Sequence, residues 1–267
     1  RLLVLPDEIR LTKDLAQKLQ RYIDLGGKVI LSHKSGLLPD ESDFALESFG
    51  LKYKGASAFS TDFILPRDSF CQSLSKTEYV MYLPGSHIKV LSGEVLADVV
   101  APYFERSYEH FCSHMHTPSS GCSSAPGVVE NGNIIYFSHP IFANYYKKAP
   151  LWCRHLLKNA LNRVLPQRLV TAQAPSGMII TLNWQEKKNR FILHLLYYIP
   201  ERRGTDMDTI EDVIPLYNIR VSVFLDRKCR VVKLAPSGEN LDFSLENGCV
   251  NFTVPEVKGH QMIEIGY

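Results

Sequence analysis

Residues Arg1 to Leu38, RLLVLPDEIRLTKDLAQKLQRYIDLGGKVILSHKSGLL, read as strand, helix, strand. RLLVLP is an apolar run that stops at a proline, and KVILS is a second apolar run of strand length. Between them Leu15, Leu19, Tyr22 and Ile23 recur at helical spacing, Thr12 is placed to cap the helix, and Gly26-Gly27 supply its stop. The two glycines precede a strand rather than a helix, so they form no phosphate cradle. In open α/β folds, ligands and reactive groups collect at the carboxyl ends of such strands. Here that place holds Ser32-His33-Lys34-Ser35-Gly36, with no cysteine and no Gly-x-Ser-x-Gly elbow. The scaffold is an enzyme's; the usual nucleophile is missing.

Working outward, 267 residues suffice for one large domain or two ordinary ones. Hydrophobic content of 45% and charged content of 22% are those of a globular protein. A net charge of +2 leaves no basic stripe or acidic tail, so neither nucleic acid nor membrane is expected as a partner. No apolar run approaches the roughly 20 residues that span a bilayer. The chain opens with Arg1 already entering a strand, which suggests a piece of a longer protein. Cys71, Cys112, Cys122, Cys153, Cys229 and Cys249 form no C-x-x-C pair and are expected as small hydrophobes, not as a disulfide framework.

Further along, a short helix is expected from about Glu41 to Phe49, ended by Gly50. Short β-rich runs follow (YVMYL, IKVL, VLADVVAPYF), and Asn131-Gly132 joins GVVE to NIIYFS as a hairpin. LWCRHLLKNALNRVLP is a second long helix, with Leu151, His155, Leu156, Asn159 and Arg163 near one stripe and Pro166 as its stop. A boundary is placed there, giving domains 1–167 and 168–267. After Arg168 the helical period disappears, and eight short runs separated by turn signals read as a small all-β antiparallel sandwich. The polar insert ERRGTDMDTIEDVIPLYN is long for a surface loop, and its length suggests contact with another domain or subunit.

Several residues are candidates for chemistry. His139-Pro140 follows the strand NIIYFS, where a general base would sit, although no nucleophile or carboxylate partner is identifiable in the sequence. Cys112-x-His114-x-His116 would present three ligand types on one strand face, but the spacing matches no recurring site and no metal or cofactor is expected. The adjacent acids Asp7-Glu8, Asp40-Glu41 and Glu211-Asp212 diverge and read as solvated surface rather than a glycosidase pair. Asn251-Phe252-Thr253 matches a glycosylation sequon inside an expected strand. Trp184 and Tyr197-Tyr198 could stack on a sugar or fill a core.

With those residues set out, the opening block resembles part of the trimerisation domain of bacterial β-galactosidase-like glycoside hydrolases. FCSHMHTP, GNIIYFSHPIFANYYKK and IPERR…IEDVIPLYNIRVSV are similar to α-L-fucosidase-like members of that group. The resemblance implies an α/β flavodoxin-like domain, of the class I glutamine-amidotransferase type, followed by the β-sandwich. It also implies that the α/β domain begins before Arg1, with further strands beside RLLVLP, and that a catalytic TIM barrel lies upstream. Amidotransferases carry a cysteine after the strand that KVILS resembles and His-Pro-Glu after the one that NIIYFS resembles. Here stand Ser32-His33 and His139-Pro140-Ile141, and thiolate chemistry cannot run without a thiol.

Three functions follow. The first is a non-catalytic assembly region of a glycoside hydrolase, whose partners are its own barrel and further copies in a homo-oligomer, with His114, His116 and Trp184 as substrate-adjacent candidates. The second is a hydrolase using His139 with Ser32 or His33. The third is a carbohydrate-binding module in the sandwich, which exposed Trp184 and Tyr197 rings would favour.

Overall fold

The computed structural model describes residues 2–267, and its backbone divides into two compact units between Pro166 and Gln167. Strands dominate: nineteen against three α-helices among the described residues.

The first unit opens with β1 (Leu2–Leu5), α1 (Lys13–Asp24) and β2 (Lys28–Ser32), with β1 and β2 parallel. Thr12 caps α1 by accepting the Leu15 N–H at 3.4 Å, and Gly26 follows at φ +83°. A Cβ on Gly27 would fall 2.4 Å from the Tyr22 ring, so the second glycine lets the chain turn tightly under the helix. Then come β3 (Leu51–Ala56), β4 (Asp62–Pro66), β5 (Tyr79–Met81), β6 (Ser86–Val90), β7 (Glu94–Pro102), β8 (Ser119–Asn131) and β9 (Ile134–Phe137). Helices α2 (Ile141–Lys148) and α3 (Leu151–Val164) end the unit, separated by Ala149 in the left-handed region and Pro150.

Seven strands form one sheet in the order β1-β2-β9-β8-β7-β4-β5, while β3 and β6 pair separately. Only β1, β2 and β9 run parallel; the rest of the main sheet is antiparallel. The α/β pattern expected for the whole unit is therefore confined to one side of the sheet. The cause is local: Gly132-Asn133 turns β8 straight back into β9, and a hairpin makes antiparallel neighbours where a crossover helix would have made parallel ones.

Residues alternate faces along the central strands. Val29, Leu31, Ile134 and Tyr136 pack with Leu11, Ala16 and Leu19 of the α1 side. Ile30, Ile135 and Phe137 pack with Ile141, Cys153, Leu156 and Ala160 of the α2–α3 side.

Three sequence expectations need correction. The helix over Glu41–Phe49 shrinks to one three-residue turn, Glu47–Phe49, because Glu41 takes φ +57° and Leu37 and Phe44 bridge instead. The buried stripe of α3 is Cys153, Leu156, Asn159, Ala160 and Val164; Leu151 is exposed, and Arg163 reaches Glu130 and Glu94. Cys112, His114 and His116 lie in an irregular segment between β7 and β8, so no strand face aligns them.

The second unit carries β10 (Val170–Ala172), β11 (Ile179–Gln185), β12 (Arg190–Leu196), β13 (Glu201–Arg202), β14 (Asp208–Thr209), β15 (Leu216–Phe224), β16 (Val231–Ala235), β17 (Phe243–Glu246), β18 (Cys249–Val257) and β19 (His260–Gly266). Two four-stranded antiparallel sheets, β10-β15-β18-β17 and β11-β12-β19-β16, enclose one apolar core. Val221, Val223, Val250 and Phe252 face Leu193, Leu195, Ile263 and Ile265 across it. Asn247 and Gly248, both at positive φ, make the β17–β18 turn. The polar insert is exposed and folds back as the small β13–β14 ribbon.

Candidate functional site

Parallel pairing sets the carboxyl ends of β2 and β9 side by side, with Ser32 opposite Phe137 and the His33 N–H on the Phe137 carbonyl at 2.7 Å. His33 sits at φ +53°, a conformation that costs a side-chain-bearing residue about 1–3 kcal/mol and that reactive turns often store. The strained place therefore belongs to an imidazole rather than to Ser32.

The Ser32 hydroxyl donates to Asp7 Oδ1 at 2.6 Å and accepts the Asp7 N–H at 2.9 Å. Asp7 Oδ2 in turn accepts the Ala143 N–H at 2.7 Å, in the first turn of α2. A carboxylate there satisfies an otherwise orphaned helix donor and meets the positive end of the helix dipole. Ser32 thus ties the loop after β1 to α2, and its oxygen is spent on that tie.

His33 Nδ1 lies 3.2 Å from Ser86 Oγ, and its Nε2 lies 3.6 Å from Glu8 Oε1. Burial lowers the His33 pKa, against the opposing pull of Glu8. Ser86, His33 and Glu8 have the residue types of a hydrolytic triad. However, the spacing to Glu8 is loose and the Ser86 N–H is already bonded to the Ser138 carbonyl, which leaves it unable to serve an oxyanion. Above them the Tyr136 hydroxyl donates to the His33 carbonyl at 2.5 Å, and burial raises its pKa.

His139 finds a partner that the sequence did not reveal. Its Nε2 is 2.6 Å from Asp62 Oδ1, and both side chains are 1% exposed. Nδ1 faces Ser138 Oγ at 3.4 Å. Gly85 closes over the ring, since a Cβ there would stand 3.1 Å from His139 Cδ2. A cavity of about 150 Å³ adjoins the pair on the Asp62 side, lined by Ser57, Asp62, Ser86 and Ser124. Asp62 opens β4, the strand between β5 and β7, and only the tertiary fold brings it to β9. A carboxylate at a strand terminus was the one clue available.

Ser32 and His139 bond to different partners, so the hydrolase pair read from the sequence is not assembled by hydrogen bonds. On the rim, Arg10 and Lys34 both hold Glu41, at 2.5 and 2.9 Å, and their hydrogen bonds pull its pKa down to about 2.

His114 and His116 lie in the segment between β7 and β8. His116 packs edge-on against Phe63 and Tyr82, at 5.9 and 6.4 Å, and its buried Nδ1 has no hydrogen bond. His114 is exposed, while Cys112 Sγ lies 3.5 Å from the His114 carbonyl. Among the described residues no three His, Cys, Asp or Glu side chains are grouped to hold a metal. The same segment exposes Tyr103, Tyr108, Phe111 and Met115, with Tyr108 fully open, beside a cavity of about 410 Å³. In the second unit Trp184 is half exposed, but the Arg227 guanidinium lies 4.8 Å above its ring and its indole N–H donates to the Tyr267 hydroxyl.

No protein-family model matches this sequence, and no curated protein sequence matches it. Solved structures do. The chain is similar to α-L-fucosidase isoenzyme 2 from Paenibacillus thiaminolyticus, with 34% identity and a TM-score of 0.94 over 100% of this chain and 40% of that one. It is also similar in fold to the β-galactosidase from Bacillus circulans sp. alkalophilus, at 13% identity and a TM-score of 0.61, covering 100% and 33% of the two chains. The GH42 β-galactosidase Gan42B of G. stearothermophilus matches at 11% identity and a TM-score of 0.58, covering 98% and 31%. The chain thus spans less than half the length of each of these relatives. It corresponds to a region of a glycoside hydrolase, fucosidase-like in sequence and shared in fold with part of the β-galactosidases.

Proposed function

We propose that this chain is a non-catalytic assembly and accessory region of a glycoside hydrolase acting in carbohydrate degradation. Its first unit is an α/β domain of the flavodoxin-like, amidotransferase type used for β-galactosidase trimerisation. The catalytic barrel belongs to the same parent protein, outside these residues. In this reading residues 1–167 contact other copies and wall the active-site entrance, and residues 168–267 are an accessory sandwich. His114, with the exposed aromatics around it, would approach a neighbouring barrel, and His116, packed against Phe63 and Tyr82, would support that segment from beneath.

One observation carries the reading: every reactive-looking group at the strand ends is already committed to a structural partner. Ser32 holds Asp7, Asp7 holds α2, and His139 is sealed against Asp62. Meanwhile a segment rich in Tyr, Phe, Met and His stands exposed on the same unit, and aromatic side chains of this kind are what interface centres use.

The test uses the intact hydrolase that contains this chain. Tyr108→Asp combined with Phe111→Asp is expected to lower its mass in light scattering and its kcat/KM on an aryl fucoside or galactoside. Ser32→Ala is expected to leave turnover per folded molecule unchanged. A strictly monomeric parent rules out the assembly role, and loss of turnover on Ser32→Ala in folded protein favours the hydrolase reading instead.

A further inference from the structure

We infer that the outer face of the β10-β15-β18-β17 sheet is a binding site for a neutral oligosaccharide, and nothing in this inference depends on the assembly role of the first unit. Register places Thr171, Ser222, Asn251 and Ser244 in one row across all four strands. A second row pairs Arg220 with Thr253, and the Gln173 N–H bonds to the Arg220 carbonyl beside them. Cross-strand neighbours stand about 5 Å apart and the rows about 7 Å, so the face is a lattice of hydroxyls and amides. The segment Asn240–Phe243 rises along one side, and the resulting concavity holds about 810 Å³. That is the scale of a site for a ligand of several sugar rings.

Two features separate this face from an ordinary solvated sheet surface. Of the residues that line the concavity only Arg220 and Asp242 are charged, with Glu246 at its edge beside Ser244, where exposed sheet faces normally carry many long charged chains. Moreover, the side chains of Thr171, Gln173, Arg220, Asp242, Asn251 and Thr253 make no hydrogen bond or ion pair among the described residues; Ser244 alone reaches a neighbour, Glu246. The opposite outer face of the same sandwich is the internal control. There Arg190 pairs with Glu264 at 2.5 Å, and His194 Nδ1 meets His260 Nε2 at 3.1 Å. One face pairs its side chains with each other; on the other, Ser244 apart, the named donors and acceptors have no partner among the described residues.

The chemistry selects the ligand. Arg220 stands against Asp242 and the neighbouring Glu246, so a polyanion is disfavoured, and two separated carboxylates beside a cation give a polycation little. A protein partner would need an apolar centre, which this lattice lacks. Vicinal hydroxyls of a pyranose are both donors and acceptors, and Asn, Arg and Asp side chains pair with two of them at once.

The experiment is amide chemical-shift mapping of the full chain during titration with fucosyllactose, galactotetraose, cellotetraose and xylotetraose. A saturable response centred on Thr171, Ser222, Asn251 and Thr253 with at least one of them is expected. Arg220→Ala and Asn251→Ala should each weaken it about tenfold, the size of one lost hydrogen bond to a ligand, with the melting temperature unchanged. The proposal is overturned if none of the four sugars gives a saturable response or if the response centres on Trp184. It is equally overturned if only a sulfated galactan fragment binds or if both variants bind as the parent does.

Discussion

The strand ends of the first unit and the outer sheet face of the second carry similar side chains, serines, acids, amides and cations, to opposite ends. At the strand ends each polar group is buried and bonded: Ser32 to Asp7, Asp7 to Ala143, His139 to Asp62. On the sheet face Thr171, Asn251 and Arg220 line an open concavity, and their side chains have no partner among the described residues. Polar groups of the first kind stabilise a fold because removing one partner strands the other in a dry interior. Those of the second kind contribute little to stability and are free to bind. Residue type does not separate the two; burial does.

That contrast can be broken most forcefully at Asp62. Asp62→Ala leaves the His139 imidazole buried without its partner and is expected to cost about 3–5 kcal/mol in denaturant unfolding. A loss under about 1 kcal/mol would mean that the pair is not a structural element. Next comes Ser32→Ala, which removes two hydrogen bonds and strips one from the Asp7 carboxylate. The expected loss is about 1–3 kcal/mol, read from the urea midpoint.

Acid sensitivity sharpens the same comparison. Glu41 has a pKa of about 2 against an ordinary 4.5, so its contribution is full above about 4.5 and disappears as pH falls toward 2. Glu41→Gln should flatten the acid limb in that window by lowering stability above about pH 4.5 toward its value near pH 2, a loss that solvent screening keeps small because the side chain is one-third exposed. His33 acts higher: its lowered pKa means that stability begins to fall once pH drops below its ordinary 6.5, as the unfolded chain takes the proton first. His33→Asn should remove that first decline. Smallest of all, Asn251→Ala and Thr253→Ala on the sheet face should shift stability by no more than about 0.5 kcal/mol. A cost as large as that of Ser32→Ala would erase the distinction between the two regions.

Much of the architecture was legible locally. Thr12, Gly26 and the Leu15–Leu19 spacing mark α1, and the eight runs after Arg168 become the eight strands of the two sandwich sheets. Where reading failed, a local signal was overruled from a distance. Glu41–Phe49 has helical composition, but Glu41 is held by Arg10 and Lys34, and Phe44 packs against Tyr136. The site was half legible: His139, Ser32 and His33 were visible as residues at strand ends, while Asp62, Asp7 and Ser86 were not.

The sequence by itself determined α1, α3 and the eight strands of the sandwich, that no thiol stands after KVILS, and that the second unit is all β. Those properties depend on neighbours a few residues apart and on the presence or absence of an atom. Only the tertiary structure decided that Asp62 seals His139, 77 positions away, and that a lattice of plain Ser, Thr and Asn stays open. Both outcomes rest on which groups lose water when distant strands pair, and a linear pattern carries no record of that.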